Sequence, residues 1–376
     1  MADKSGVSIS EPAAGLAAGT GEANGTSPGH AGRMTERNGL DTAFAALDLG
    51  TNNCRMLVAR PDSSADNGEF RVIDSFSRIT RLGEGLSASG QLSKEAMDRT
   101  IEALKRCAEK MDRRQVSASR NVATEACRRA SNCAEFLERV TAETGLQLEI
   151  ITAHEEATLA LKGCAALLDF TTPYAVIFDI GGGSTEVLFV EVDPDRSMSV
   201  RGCISLPMGV VTVAEDCGGG DLCTRTYETV VARVQHLLES FEKTYGIGEK
   251  ITAGVAQMIG TSGTVTTLGG LHMGLERYDR AMVDGITLDF ETVHATSQAL
   301  CGMTLQQRAA EPCIGWQRAD LMLAGCAILE AICHLWPVGK LRVADRGLRE
   351  GLLMDLIHPA MLRVAPGEMH MPTAHI

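Results

Sequence analysis

The chain has 376 residues, of which 44% are hydrophobic and 22% charged, and a formal net charge of −13. That supplies enough apolar material for two domains with complete cores. The acidic balance and the lack of a sustained basic run exclude sequence-independent binding to duplex nucleic acid, which depends on many Lys/Arg–phosphate contacts; a polyanion held in one locally basic cleft stays open.

Residues 1–41 are rich in Gly, Ala, Ser and Thr and nearly devoid of large apolar side chains. They cannot bury enough surface to offset ordering entropy, so a disordered tail is expected. The segment is too polar for a signal peptide or a membrane helix, and no membrane association is expected. The 12 cysteines contain no C-x-x-C pair. Cys164, Cys326 and Cys333 sit among apolar neighbours and read as core, and Cys217 and Cys223 flank a glycine-rich loop. Reduced thiols in a cytoplasmic setting follow as the expectation.

The first ordered element is the apolar run Phe44-Ala45-Ala46-Leu47. It leads into Asp48-Leu49-Gly50-Thr51-Asn52-Asn53-Cys54-Arg55 and then Met56-Leu57-Val58. This is a strand, a tight polar turn and a second strand. Met97, Ile101, Leu104, Ala108 and Met111 recur at helical spacing after Ser93, an N-cap. Ser117 to Thr124 reads as a strand ending at Glu125, Phe136, Leu137 and Val140 mark a helix, and Leu146 to Ile151 reads as a strand. A helix from Glu155 to Leu168 bridges toward a break at Pro173.

The opening pattern then repeats. Ala175-Val176-Ile177-Phe178 enters Asp179-Ile180-Gly181-Gly182-Gly183-Ser184-Thr185-Glu186, followed by Val187-Leu188-Phe189-Val190. A long helical stripe runs through Val230, Val234, Leu238, Phe241 and Tyr245. The strand Val255 to Ile259 feeds a third glycine-bearing turn, Gly260-Thr261-Ser262-Gly263-Thr264, at the start of a helix. Leu321 to Trp336 is apolar but short and carries Glu330, so it is a core helix, and the end from Pro366 reads as frayed. Of the nine histidines, only His154 stands beside other candidate site residues. Strands alternating with helical stripes give an α/β fold, and the repeat gives two related domains. Their boundaries fall at 42–170 and 171–362, with a tail at 363–376.

The residue types in the turns specify a chemistry. Glycine lets backbone amides approach an anion closely, and successive N–H groups form a concave anion site. Gly50, Thr51, Asn52 and Asn53 in the first turn, and Gly181, Gly182, Gly183, Ser184 and Thr185 in the second, are candidate phosphate ligands. Ser262, Gly263 and Thr264 add a third set at a helix N-terminus. Asp48 and Asp179 end their strands where a carboxylate can hold Mg²⁺ or another divalent cation.

Further runs make the likeness narrower: Arg81-Leu82-Gly83-Glu84-Gly85-Leu86, Ala123-Thr124-Glu125-Ala126-Cys127-Arg128-Arg129-Ala130, His154-Glu155-Glu156-Ala157, Ser205-Leu206-Pro207-Met208-Gly209 and Gly347-Leu348-Arg349-Glu350-Gly351. With the three turns, they make the chain resemble the exopolyphosphatase / guanosine pentaphosphate phosphohydrolase (Ppx/GppA) family, from about Ala43 to Asp355. The resemblance implies two ribonuclease-H-like domains of the actin, sugar-kinase and chaperone-ATPase superfamily with a cleft between them. It also implies hydrolysis of a terminal phosphoanhydride. It assigns Glu156 as general base and Glu186 as a second acidic group for metal or water, alongside the metal-associated Asp48 and Asp179. Arg128 matches a cleft arginine that contacts phosphate, and Arg55 matches a position that is usually basic. Glu155 and Arg129 read as solvated helix residues.

Three departures stand out. Thr51 and Asn53 replace common serines, and Thr158 replaces a common arginine. The chain ends soon after Gly351-Leu352, where longer members continue into a helical domain, so lower processivity on long chains is expected. The substrates implied are inorganic polyphosphate or guanosine pentaphosphate, and a homodimer is allowed. A third reading, of a different class, is an ATP-binding switch or kinase. The low aromatic content, 4%, leaves little stacking surface for a base and tilts the choice toward polyphosphate.

Overall fold

The computed structural model describes residues 42–62, 70–219, 221–357, 364–365 and 369–370. The tail expected at 1–41 lies outside them, as do most of the residues after Pro366.

The first lobe is built on five strands: β1 (Ala43–Leu49), β2 (Asn53–Pro61), β3 (Phe70–Ile79), β4 (Val116–Ala123) and β5 (Glu149–Ile150). Their order in the sheet is β3-β2-β1-β4-β5, with β1, β2 and β3 antiparallel neighbours and β4 parallel to β1. The second sheet contains β6 (Tyr174–Ile180), β7 (Thr185–Val192), β8 (Met198–Leu206), β9 (Ala256–Thr261), β10 (Thr287–Asp289), β11 (Lys340–Ala344), β12 (Val364–Ala365) and β13 (Met369–His370). Its path through β8-β7-β6-β9-β11 repeats the first sheet's order and strand directions. Both sheets therefore have the ribonuclease-H-like topology, as two lobes of one α/β fold.

The helix Lys94–Arg113 forms where the spacing predicts it. Ser93 accepts a hydrogen bond from the Ala96 amide as N-cap, and Met97, Ile101, Leu104 and Met111 are buried against the first sheet. The helix Thr224–Tyr245 plays the same part in the second lobe, and Met322–Leu335 is a core helix there. No helix among the described residues is long and apolar enough to cross a membrane. Two expectations are corrected. The strand read as Leu146 to Ile151 shrinks to the pair Glu149–Ile150, which meets β4 only at Val122 and Ala123. Met369–His370, read as frayed, pairs with Cys203 and Ile204 of β8.

One helix joins the lobes. In Ala153–Cys164, the residues Ala157, Leu161 and Cys164 form a stripe buried on the second sheet, while Leu159, roughly half a turn away, is buried with Ala46, Leu57 and Val122 of the first. Burying each such leucine is worth about 1.5–3 kcal/mol. The late helix Leu348–Ile357 also returns to the first lobe, packing Leu348, Leu352 and Leu353 into the same cluster, and Lys162 pairs with Asp355 at 2.6 Å. The N-terminal turn of the bridging helix, which carries Glu156, is thereby held against both lobes. Arg81 and Asp320 link the lobes again at 2.9 Å.

Candidate active site

The two repeated turns close in the same way. The Gly50 amide donates to the Asn53 carbonyl at 2.9 Å, and the Gly181 amide to the Ser184 carbonyl at 2.9 Å. Register pairs Asp48 with Arg55 and Asp179 with Glu186, so the lobes carry opposite charges at equivalent positions. Neighbouring segments hold each turn from behind. Thr80 and Arg81 amides donate to the Asn52 carbonyl at 2.9 and 3.0 Å, and the Gly83 amide donates to the Thr51 carbonyl at 2.9 Å. Val210 and Val211 amides donate to the Gly181 and Gly182 carbonyls at 2.9 and 2.8 Å. The motif Arg81 to Leu86 thus braces the first loop, and the residues directly after the motif Ser205 to Gly209 brace the second.

With their carbonyls tied back, the loops keep donors to spare. Among the described residues, the amides of Thr51, Asn52, Gly182, Gly183 and Ser184 donate to no protein acceptor. The buried Thr51 Oγ1, Asn52 Oδ1, Asn53 Oδ1 and Ser262 Oγ also lack a partner. Buried polar groups are rarely left this way unless a ligand completes them. Ser262 adds strain, at φ 107° and ψ 173°, a region costly for any residue but glycine.

The loops face each other across one cavity of about 460 Å³. They meet closely: a Cβ at Gly183 would stand 2.7 Å from Thr51 Oγ1 and 2.9 Å from Glu125 Cγ. The cavity brings together Asp48, Gly50, Thr51, Asn52, Asn53, Arg55, Glu156, Asp179, Gly181, Gly182, Gly183, Ser184, Ser262, Gly263 and Thr264, all read from the sequence as site residues. Three expected residues do not line it. Thr185 is fully buried and its hydroxyl donates to the Met208 carbonyl at 2.7 Å, which removes it as a phosphate ligand. Glu186 is buried beneath the floor and accepts from Ser205 Oγ at 2.7 Å. Arg128, expected on phosphate, lies behind Glu156 instead. Its Nη1 donates to Glu156 Oε2 at 2.8 Å and to the Ile151 carbonyl at 3.0 Å, and its Nε donates to Glu125 Oε2 at 3.0 Å. Glu155 pairs with Arg120, and Arg129 is exposed.

The structure adds residues that sequence reasoning left without a role. Glu125, Arg280, Arg318, Arg346, Arg349 and Glu350 line the same cavity. Arg280 pairs with Glu350 at 2.6 Å and Arg346 with Asp284, whereas Arg55, Arg318 and Arg349 have no ion pair among the described residues. The motif Gly347 to Gly351 was the available signal for Arg349 and Glu350. Arg280 and Arg318 stand in no recognisable pattern.

Burial and mutual repulsion set the acidity of the carboxylates. Burial pushes Asp179 up to about 6, and the charge of Asp48 adds to it against Arg55 and Arg349. Burial also raises Asp48. Glu156 is raised well above the usual carboxylate range by burial and by Glu186, with Arg128 opposing. Glu186 is likewise raised, chiefly by burial, with Ser184 and Ser205 opposing. Glu350 goes the other way: burial opposes its ionisation, but Arg349 and Arg280 outweigh it. Crowded carboxylates whose charges disfavour one another, ringed by oxygen donors, fit a hard divalent cation. Asp48 and Asp179 would hold such an ion, with Glu186 buried nearby.

Paired ribonuclease-H-like lobes, anion-binding turns facing each other and a carboxylate poised between them define an enzyme that handles phosphoryl groups. The comparisons carry this further. The Ppx/GppA phosphatase family model matches residues 62–360, and the chain belongs to that family. The "Exopolyphosphatase 2" of Mycobacterium tuberculosis (strain ATCC 25618 / H37Rv) is 30% identical over 325 residues, covering 84% of this chain and 98% of that protein. A "Guanosine-5'-triphosphate,3'-diphosphate pyrophosphatase" of Vibrio vulnificus (strain YJ016) is 29% identical over 321 residues, covering 85% of this chain but 60% of that protein. The crystal structure of the Aquifex aeolicus Ppx/GppA family member superposes with a TM-score of 0.67 at 29% identity, covering 84% of this chain and 97% of that one.

Two predictions arise here. Arg128 pairs with Glu156, and its positive charge keeps that carboxyl from rising further. Arg128→Met should therefore shift the acid limb of the kcat–pH profile to higher pH, and Arg128→Lys should restore part of the shift. A profile that keeps its midpoint while its height falls would assign Arg128 a purely structural role. Gly209 is the second case: a Cβ there would fall 2.4 Å from the Gly182 carbonyl. Gly209→Ala should push the second loop out of place and lower kcat by roughly 10²-fold, what a misplacement of about 1 Å can cost. Wild-type kinetics in that variant would show that the loop tolerates displacement.

Proposed function

We propose that the chain is an exopolyphosphatase that removes the terminal phosphate of inorganic polyphosphate as orthophosphate, with Mg²⁺ or a similar divalent cation. The observation that carries the reading is the meeting of Asp48, Asp179 and Glu156 with both anion-binding turns in one cavity. Hydrolysis of a phosphoanhydride needs an oriented water, neutralisation of the transferred phosphoryl and little covalent help. The chain's own groups meet these needs. The amides and hydroxyls of the loops grip the terminal phosphate, and Arg55, Arg318 and Arg349 counter its charge. Arg128 holds Glu156 Oε2, which leaves Oε1 to take the proton of the attacking water. The oxygen of that water bonds to the terminal phosphorus as the bridging P–O bond breaks, and the shortened chain leaves with the electron pair. A bound cation would neutralise phosphate oxygens beside Asp48 and Asp179.

The named relative that matches across nearly its whole length is an exopolyphosphatase, and the arginine-lined cavity suits a repeating polyanion. The twelve thiols, all free, suit the reducing cytoplasm. One observation favours guanosine pentaphosphate as a second reading: Phe76 of β3 lines the cavity and offers a face for a base. Phosphate release from long polyphosphate, short polyphosphate, guanosine pentaphosphate and ATP, compared by kcat/KM, separates the readings. Polyphosphate should lead. A preference for the guanosine nucleotide that Phe76→Ala abolishes would reverse the order.

A further inference from the structure

A second set of metal-ligating side chains lies on the second lobe, outside the cavity. The helix Phe290–Cys301 contributes His294, and the core helix Met322–Leu335 contributes Glu330 and His334, one turn apart. Glu330 Oε1 stands 3.4 Å from His294 Nδ1 and 3.7 Å from His334 Nε2, and the three donor atoms lie within 4.8 Å of one another. These separations are long for a hydrogen bond. The first falls within, and the second just beyond, the edge of a tetrahedron, roughly 3.3–3.6 Å, around an ion bound at about 2.0–2.2 Å.

The surroundings also suit a metal. Glu330 is nearly enclosed, with a side chain 11% exposed, whereas the His294 and His334 side chains are 56% and 52% exposed. A buried carboxylate thus faces two accessible imidazoles, with an open path for an ion. The other carboxylate oxygen, Oε2, accepts from the Tyr227 hydroxyl at 2.8 Å. Such an outer hydrogen bond orients a ligating carboxylate.

We propose that His294, Glu330 and His334 form a binding site for a transition-metal dication of the zinc class, with water in the fourth position. The ion ties the two helices together. The same core helix also borders the cavity: Leu321 and Met322 at its start line it, and a Cβ at Gly325 would fall 2.1 Å from Thr264 Oγ1 of the third turn.

The test uses the full untagged chain with excess Mg²⁺, so that oxygen-rich sites are filled. Co²⁺ is titrated by visible absorption and equilibrium dialysis into the wild type and the His294→Ala/His334→Ala double variant. The wild type should bind one Co²⁺ more than the variant and show the intense bands of a tetrahedral site. Zn²⁺ should raise the Tm of the wild type by several degrees and leave the variant unmoved, while both release phosphate equally in Mg²⁺. Equal Co²⁺ uptake and equal spectra in the two proteins would overturn the proposal.

Discussion

Replacing Glu156 by glutamine should lower phosphate release by roughly 10²–10⁴-fold, the range that loss of a general base costs, with KM little changed. Glutamine keeps the shape and the hydrogen-bonding reach of the side chain but cannot accept the water's proton. The fold should survive, since the helix is held by Ala157, Leu159, Leu161 and Cys164, none of which the change touches. The expected signature is a fall in kcat and kcat/KM together, the mark of an interaction made in the transition state. The wild-type profile should also carry an acid limb above the usual carboxylate range, because burial and Glu186 raise Glu156. Normal turnover in Glu156→Gln would show that another group activates the water.

Asp179→Asn should have the second large effect, with opposite signs for function and stability. It removes a charge from the cation's expected holders. Activation by Mg²⁺ should then need a concentration higher by at least the roughly 10–100-fold that losing an outer-shell partner costs. For stability the sign follows from linkage. Asp179 titrates at about 6 in the folded chain, against an ordinary value of 3.8. The folded state therefore holds the proton more tightly, and the contribution present below pH 3.8 is lost as pH rises through about 6. Above that, the buried charge is a full cost, and asparagine removes it. Without divalent cation at pH 7.5, the variant should melt higher than the wild type, and Mg²⁺ should narrow the gap. A lower Tm for the variant under those conditions, with an unchanged Mg²⁺ requirement, would mean that Asp179 serves the fold alone.

The parts of the site that could be read from the chain share one property: their meaning is local. Each anion-binding turn is a short hairpin whose glycines, hydroxyls and terminal aspartate state their purpose within eight residues. Its repetition at Asp48 and Asp179 pointed to paired lobes, and the sheets bear that out in strand order and direction. What stayed hidden depends on convergence. Glu350 and Arg349 reach the cavity because the last long helix crosses back onto the first sheet, and Arg280 and Arg318 reach it from a short helix and a turn far along the chain. Arg128 was misread for a related reason. Sequence places a cation near the cleft but does not say whether phosphate or a buried carboxylate takes it, and Glu125 and Glu156 do. Thr185 was lost to a backbone carbonyl that no spacing reveals. His294 and His334 lie far apart in the chain, and only the packing of two helices brings both to Glu330.

The reading of the cavity as a hydrolytic site fixes where water attacks. Wild-type enzyme turning over polyphosphate in H₂¹⁸O, with the products resolved by mass spectrometry, reports it directly. One ¹⁸O in each released orthophosphate and none in the shortened chain is the result expected for attack of water on the terminal phosphorus. Label in the remaining chain, or orthophosphate without label, would contradict it.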